Sequence, residues 1–224
     1  MSSLRPRSVF VNALTVSRVP FIVAFMVFAV AAAMRDNSLP LEICAGFCMF
    51  VAGITDIFDG MLARKWGVVS TFGKMADPLM DKVFFIVAFP TLLWIIGWRD
   101  NRDPHALVML AFTVLYILRD QWVTFLRSVG SFYKADNGAL WLGKVRTALS
   151  FPAAGYVYAF LAFGHYLPDA WQKAFLWSCY AIEALLILLN VWSMVYYTKH
   201  YSGYLKRALA PERTDAGNGE RNGN

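Results

Sequence analysis

The chain has 224 residues, of which 58% are hydrophobic, 16% are aromatic and only 16% are charged, and its formal net charge is +6. The mean hydropathy is positive, at +0.47. This composition is typical of an integral membrane protein and excludes an ordinary soluble domain. The excess of positive charge lies at the flanks of apolar segments, so no nucleic-acid partner is predicted.

The first predicted element is a short amphipathic helix at the membrane surface. Apolar and polar residues mix over 9–16 and lead directly into an apolar run. A cleaved signal peptide is the alternative, because Arg5 and Arg7 precede the run and three alanines, 31–33, lie near its end. The polar residues beside the run favour the surface helix; they are Asn12, Thr15, Ser17 and Arg18.

Six apolar segments are long enough to cross a membrane if the helices continue slightly into their flanks. At about 1.5 Å per residue, roughly 20 helical residues cross a bilayer core. The prediction is therefore an all-α, polytopic membrane domain over residues 1–210, followed by a polar, disordered tail over 211–224. The segments are 19–34, 41–58, 83–98, 106–118, 145–163 and 171–197.

The positions of Lys and Arg predict the orientation, since cytoplasmic flanks of membrane helices collect positive charge. These residues concentrate before the first segment, around residues 64–82, between the fourth and fifth segments, and in the tail. The opposite flanks hold few of them. Both termini are therefore predicted to face the cytoplasm of a cell inner membrane, and the number of spans is predicted to be even.

The stretch from residue 56 to residue 81 is unusually polar for its apolar surroundings. An ionised carboxylate in such a setting is costly unless it is paired or bound to a metal ion, so the stretch predicts a site. We call its defined positions the aspartate motif; they are Asp56, Asp59, Gly60, Ala63, Arg64, Gly73, Asp77 and Asp81.

The spacing within the aspartate motif predicts a metal site. Asp56 and Asp59 are three residues apart, and Asp77 and Asp81 are four apart, so each pair shares one face of a helix. Four neighbouring carboxylates repel each other unless cations bind between them. Oxygen ligands favour Mg²⁺ or Mn²⁺ over Zn²⁺, and Ca²⁺ usually takes more ligands. Two ions about 3.5 to 4 Å apart would form a clamp for displacement at phosphorus.

The other motif positions suit a phosphate-bearing ligand. Asp81 has apolar neighbours at 83–85, an environment suited to a general base. Gly60 and Gly73 leave room for a ligand or backbone, Ala63 keeps the same face flat, and Arg64 supplies a forked cation for phosphate oxygens.

The aspartate motif resembles the signature of the CDP-alcohol phosphatidyltransferase family at every defined position. The resemblance implies a six-span fold with a juxtamembrane amphipathic helix, a homodimer, and transfer of a phosphatidyl group from CDP-diacylglycerol to an alcohol with release of CMP. It implies that Asp56, Asp59 and Asp77 hold metal and that Asp81 is both a ligand and the base. By the same similarity the cytidine diphosphate site is lined by Gly60, Ala63, Arg64 and Gly73.

The acceptor alcohol is predicted from a basic cluster between the fourth and fifth segments. An acceptor that carries a phosphate would need such cations, and they are Arg119, Arg127, Lys144 and Arg146. Residues 12–18, 72–82, 119–121 and 143–147 are similar to their counterparts in the bacterial phosphatidylglycerophosphate synthases, in which the acceptor is sn-glycerol 3-phosphate. Asp120, where that subfamily is expected to carry Glu, and residues 75–76 depart from the pattern.

Other functions remain open from the sequence. Sister enzymes use inositol phosphate, serine, choline or phosphatidylglycerol as the acceptor. A cation transporter would carry its charges near the membrane midplane and in both halves of the chain, whereas the four aspartates lie at one edge and in one half. An inactive membrane scaffold would be indicated by a lost ligand position, and the motif has lost none.

Overall fold

The computed structural model describes residues 4–36, 38–68, 70–99, 104–134 and 141–210. The described residues form six long helices and one 3₁₀ turn, without a strand. The predicted tail, 211–224, lies outside the described residues. The helices are α1 (Leu4–Met34), α2 (Leu39–Trp66), α3 (Thr71–Arg99), α4 (Pro104–Phe132), α5 (Trp141–Phe163) and α6 (Asp169–Leu209), with the turn at Gly164–Tyr166 before α6.

All six helices are long and apolar enough to cross a membrane, which confirms the predicted all-α, six-span fold. Each helix extends beyond its apolar run, because the polar residues at the run's ends continue the helix. The chain is a multi-pass membrane protein.

The residues predicted to form a separate surface helix, 9–16, are helical but continue into the first span without a break. A buried stripe explains the continuity: Val11, Thr15, Arg18 and Ile22 recur at helical spacing and are all buried. The N-terminal turns of α1 therefore belong to the bundle. The stripe also carries two polar side chains, Thr15 and Arg18, into the interior.

The bundle is built from α1 packed on α2 and α3, α4 packed on α6, and α5 in contact with α2, α3 and α6. Small buried residues, including Ala45, Ala52 and Ala88, allow the helix backbones to approach each other closely. Aromatic rings fill the remaining space; Phe89, for example, packs edge-on against Phe112 with ring centroids 4.8 Å apart.

The connection between α2 and α3 is short and is closed by a glycine. Gly67 adopts a left-handed conformation, with φ at 64°, and ends α2. The backbone N–H of Val68 donates to the carbonyl of Ala63 at 3.0 Å, so the last turn is capped. This turn returns the chain into α3 and sets the two halves of the aspartate motif side by side.

Buried polar pairs fasten the end of the bundle opposite the aspartate motif. His105 Nε2 lies 2.8 Å from Glu183 Oε1 and links α4 to α6, with the two side chains 1% and 2% exposed. Arg99 Nη2 donates to Glu42 Oε1 at 3.1 Å and links α3 to α2. The Tyr158 hydroxyl donates to the Glu42 carbonyl at 3.0 Å and adds α5.

Replacing His105 with leucine should lower the free energy of unfolding by about 1 to 3 kcal/mol, because the buried Glu183 carboxyl group would lose its hydrogen-bond partner. Reversible unfolding in detergent measures the change. The double variant His105→Leu/Glu183→Leu is the matched control and should regain most of the loss, since neither partner of the buried hydrogen bond remains. A single variant as stable as wild type would contradict the pairing.

Candidate active site

Three aspartates of the motif converge at one point between the first three helices. Asp56 and Asp59 lie on one face of α2, and Asp81 lies on α3. Asp77 precedes Asp81 by one helical turn on α3, but its side chain lies outside the described part of the structure. The α2–α3 hairpin therefore brings Asp81 close to Asp56 and Asp59.

The guanidinium of Arg18, from α1, lies among these three carboxylates. Its Nη1 donates to Asp56 Oδ1 at 2.6 Å and lies 3.4 Å from Asp81 Oδ1, and its Nη2 donates to Asp59 Oδ2 at 2.7 Å. Thr15, one turn earlier on α1, donates its hydroxyl to the same oxygen of Asp59 at 2.8 Å. The side chains of Arg18 and Asp59 are only 4% and 3% exposed, so this is a buried, charge-assisted contact.

The carboxylate oxygens that meet here are of the chemical type that binds hard divalent cations. Asp56, Asp59 and Asp81 offer carboxylate oxygens, and all three lie within 3.4 Å of one positively charged group. Among the described side chains, no three acidic, His or Cys groups are already arranged as a metal site. The three carboxylates thus attract positive charge, and the Arg18 guanidinium supplies part of that charge.

The remaining motif positions lie toward the α2–α3 connection. Gly60, Ala63 and Arg64 follow Asp56 and Asp59 on α2, and the Arg64 side chain is exposed. The Gly73 N–H donates to Ser70 Oγ at 2.9 Å, and a Cβ on Gly73 would lie 3.2 Å from that oxygen. None of these four residues lines the two cavities described next.

A polar cavity of about 630 Å³ opens beside the aspartates. It lies between α3, α4, α5 and α6, and it joins the motif to the predicted basic cluster. Its charged lining residues are Asp56, Asp81, Lys82, Arg119, Asp120, Arg127 and Arg146. The structure therefore brings three of the four predicted basic residues together; the side chain of the fourth, Lys144, lies outside the described part.

Two buried arginines of this cavity are held by α6. Arg119 Nε donates to Ser193 Oγ at 3.0 Å, and its guanidinium lies 5.2 Å from the centroid of the Tyr197 ring. Arg146 Nη1 donates to Asn190 Oδ1 at 3.2 Å. These contacts fix the direction of both guanidinium groups, since each group donates a hydrogen bond to a side chain of α6.

Neighbouring charges connect α3, α4 and α5 across the cavity. Lys82 Nζ lies 3.1 Å from Asp120 Oδ2 and donates to Thr124 Oγ1 at 3.0 Å. Arg146 Nη2 lies 3.8 Å from Asp120 Oδ1, and its guanidinium lies 4.2 Å from the centroid of the Tyr116 ring. Lys82 immediately follows Asp81, so this network extends to the motif.

A second, apolar cavity of about 440 Å³ lies on the other side of the aspartates, between α2, α3 and α5. It shares five lining residues with the polar cavity: Asp56, Asp81, Phe85, Thr147 and Ala148. Most of its remaining lining is apolar, with Ala52, Ile54, Met80, Phe84 and Phe151 among the lining residues. Asp56 and Asp81 thus lie where a polar space and an apolar space meet.

Sequence reasoning from the motif does not find Arg18, Thr15, Lys82 or the α6 residues. The signal for Arg18 and Thr15 is their place on the buried stripe of α1, among apolar residues at helical spacing. The α6 side chains Asn190 and Ser193 are small polar residues inside a long apolar segment, which is a weaker signal of the same kind.

Comparison with known protein sequences agrees with the aspartate motif. A sequence model of the family described as CDP-alcohol phosphatidyltransferase matches residues 9–196. Three relatives, all named CDP-diacylglycerol--glycerol-3-phosphate 3-phosphatidyltransferase, come from Salmonella choleraesuis, Rickettsia felis and Escherichia coli K12. The Salmonella protein is 28% identical over 159 residues, which cover 71% of this chain and 78% of the relative.

The other two relatives give similar figures. The Rickettsia protein is 34% identical over 140 residues, covering 62% of this chain and 68% of the relative, and the Escherichia protein is 28% identical over 151 residues, covering 67% and 73%. The resemblance read from the aspartate motif is confirmed. The chain belongs to the CDP-alcohol phosphatidyltransferase family, a family of transferase enzymes that generally depend on a divalent metal ion.

Proposed function

We propose that this enzyme transfers the phosphatidyl group of CDP-diacylglycerol to sn-glycerol 3-phosphate, forming phosphatidylglycerophosphate and releasing CMP. The observation that carries the proposal is the polar cavity of about 630 Å³, because motif carboxylates and buried or half-buried arginines line it together. The names of the three relatives support the same donor and acceptor.

The aspartates of the motif are assigned to hold divalent metal at the donor's pyrophosphate. Asp56, Asp59 and Asp81 already surround one cationic group, and Asp77 precedes Asp81 by four residues on α3. We assign Mg²⁺ or Mn²⁺, with two ions per site. Such ions, when bound, neutralise a pyrophosphate and stabilise the leaving CMP.

The two ends of the lipid donor are assigned to different regions beside the aspartates. Its cytidine diphosphate end would contact the motif positions toward the α2–α3 connection, and its acyl chains would leave through the apolar cavity into the bilayer. This placement puts the reacting phosphorus at the junction of the two cavities. The cytidine diphosphate positions are Asp56, Asp59, Gly60, Ala63, Arg64, Gly73 and Asp77.

Asp81 is assigned as the general base. Its carboxylate lines both cavities, so it reaches the acceptor side and the donor side at once. The acceptor hydroxyl gives its proton to Asp81 while its oxygen attacks the phosphorus that carries the diacylglycerol. The bond from that phosphorus to the CMP oxygen breaks, and CMP leaves.

The acceptor phosphate is assigned to the basic side of the polar cavity. Arg119 and Arg146 are held rigidly by α6, while Arg127 is half-buried and lines the same space. Forked guanidinium groups suit phosphate oxygens, and their fixed direction reduces the entropy lost on binding. Lys144 is assigned to this set from its sequence position.

The proposal also covers the orientation of the enzyme in the membrane and its oligomeric state. The excess of Lys and Arg on the motif's side supports a cytoplasmic active site and cytoplasmic termini in a cell inner membrane. The family resemblance supports a homodimer.

An acceptor panel tests the proposed reaction. Purified enzyme in detergent, with Mg²⁺ and CDP-diacylglycerol, is incubated separately with glycerol 3-phosphate, inositol 1-phosphate, serine, choline and phosphatidylglycerol. We expect CMP release with glycerol 3-phosphate only.

Arg127→Gln should raise the KM for glycerol 3-phosphate about tenfold or more, because a charge-assisted hydrogen bond contributes about 1.5 to 3 kcal/mol. The KM for CDP-diacylglycerol should stay within about twofold of wild type, since Arg127 lies on the acceptor side.

Lys173→Gln is the matched control, because Lys173 is an exposed cation near the start of α6, at the other end of the bundle. It should leave both KM values unchanged. Release of CMP with a different acceptor would contradict the assigned alcohol, and an unchanged KM in Arg127→Gln would contradict the assigned phosphate site.

A further inference from the structure

The apolar cavity forms a passage from the outer surface of the bundle to the aspartates. At its outer end lie Phe50, which is 62% exposed, and Pro152, both within segments apolar enough to cross a membrane. Asp56 and Asp81, which also line the polar cavity, and the buried Arg18 complete its lining. The passage therefore connects the region of lipid to the reacting centre.

One ring, that of Phe151 on α5, stands against the backbone of α2 inside this passage. A Cβ built on Gly53 would lie 2.0 Å from Phe151 Cζ and 2.3 Å from Cε1, distances that real carbon atoms do not adopt. Only glycine at position 53 lets the ring lie where it does. On its other side the ring packs against Phe84, with centroids 4.6 Å apart and the planes tilted by 32°.

This ring is close to the chemistry along the helix. Gly53 precedes Asp56 by three residues, so the contact lies about 4.5 Å along the α2 axis from the first aspartate, at 1.5 Å per residue. Phe84 follows Asp81 by three residues on α3. The ring thus lies about one helical turn from Asp56 on α2 and from Asp81 on α3, on the side of the apolar cavity.

We propose that Phe151, seated on Gly53, is a specificity-determining residue that limits the bulk of the acyl chain beside the glycerol of the lipid donor. The inference rests on the proposed function, because it takes CDP-diacylglycerol as the donor. An acyl chain is the occupant, since the passage is lined mostly by apolar side chains, opens toward lipid, and is continuous with the site of the reacting phosphorus. A straight chain passes the ring, whereas a chain branched near its carbonyl contacts it.

Two synthetic donors test the proposal: CDP-dipalmitoylglycerol and CDP-diphytanoylglycerol, whose main chains have equal length but differ in methyl branches. We expect wild type to prefer the straight-chain donor. Phe151→Ala should shift the ratio of kcat/KM toward the branched donor by about tenfold or more, as expected for relief of a packing conflict of a few methyl groups. The KM for glycerol 3-phosphate should not change. Phe151→Leu, which keeps an apolar side chain, should shift the ratio less.

A second pair of variants tests the steric contact itself. Gly53→Ala should displace the ring into the passage and lower kcat/KM for both donors about tenfold or more, and Gly53→Ala/Phe151→Ala should recover most of that loss. Phe47→Ala is the matched control, because Phe47 lies on α2, the helix of Gly53, and its exposed ring lines neither cavity. It should leave the ratio unchanged.

The outcomes separate this inference from the proposed function. CMP release by wild type with an unchanged donor ratio in Phe151→Ala would overturn the inference and leave the proposed reaction standing. A folded Gly53→Ala/Phe151→Ala protein no more active than Gly53→Ala would overturn the steric contact. If wild type releases no CMP with either donor, the proposed function fails and the inference fails with it.

Discussion

Asp81→Asn should lower the rate of CMP release by about 10²- to 10⁴-fold, because the amide has nearly the shape of the carboxylate but does not accept a proton from the acceptor hydroxyl. The variant should fold normally. The contact between Asp81 and Arg18 is the longest among the contacts of Arg18 with the described motif side chains, at 3.4 Å, and the Asp81 side chain is 41% exposed. In the variant the buried Arg18 keeps its contacts with Asp56 and Asp59, so the substitution leaves no buried charge without a partner.

Single-turnover CMP release, with saturating donor and acceptor, measures the effect on the chemical step. Asp169→Asn is the matched control, since Asp169 is an exposed carboxylate in the first turn of α6, at the far end of the bundle. It should retain the wild-type rate. An Asp81→Asn protein with more than about a tenth of wild-type activity would contradict the assignment of Asp81 as the base.

Arg18→Met should both destabilise the protein and remove its activity. The Asp59 carboxylate, only 3% exposed, would keep the Thr15 hydroxyl but lose its guanidinium partner. Breaking a buried ion pair from one side costs about 3 to 5 kcal/mol of unfolding free energy. Because the same guanidinium also contacts Asp56 and Asp81, its loss should allow the three carboxylates to move apart.

Unfolding in detergent with a chelator present measures the stability change without compensation by a divalent ion. Arg18→Met/Asp59→Asn should recover part of the lost stability but no activity. Arg18→Lys should fall between wild type and Arg18→Met, since an ammonium is a point charge without the fork that reaches three carboxylates. An Arg18→Met protein as stable as wild type would show that the buried contact has no net value.

The helical faces of the aspartate motif were predictable because helix periodicity is local. Residues three and four apart share a face wherever the helix lies, so the pairing of Asp56 with Asp59 needs no knowledge of packing. The basic cluster was predictable as a group for a similar reason, because Arg119 and Arg146 lie at helix ends on the same predicted side. Six spans followed from the length of the apolar runs.

The partners of these residues were not predictable from spacing. Arg18 precedes Asp59 by 41 positions and reaches it only because α1 packs on α2 without a break before its first span. The direction of Arg119 and Arg146 depends on Ser193 and Asn190, which α6 brings back from the far end of the chain. A positive-inside count treats all of these cations alike, whereas the structure buries some and exposes others.

The sequence by itself therefore determined the class of protein, the family and the four acidic positions, because each depends on composition or on spacing within one helix. Only the tertiary structure decided that Arg18 and Thr15 belong to the site, that a polar and an apolar cavity meet at Asp56 and Asp81, and that Phe151 rests on Gly53. These features join residues from different helices. The positions of these features depend on how closely the helix backbones approach and on which helix faces are in contact. Small buried residues at many positions along the chain determine both the distance and the faces.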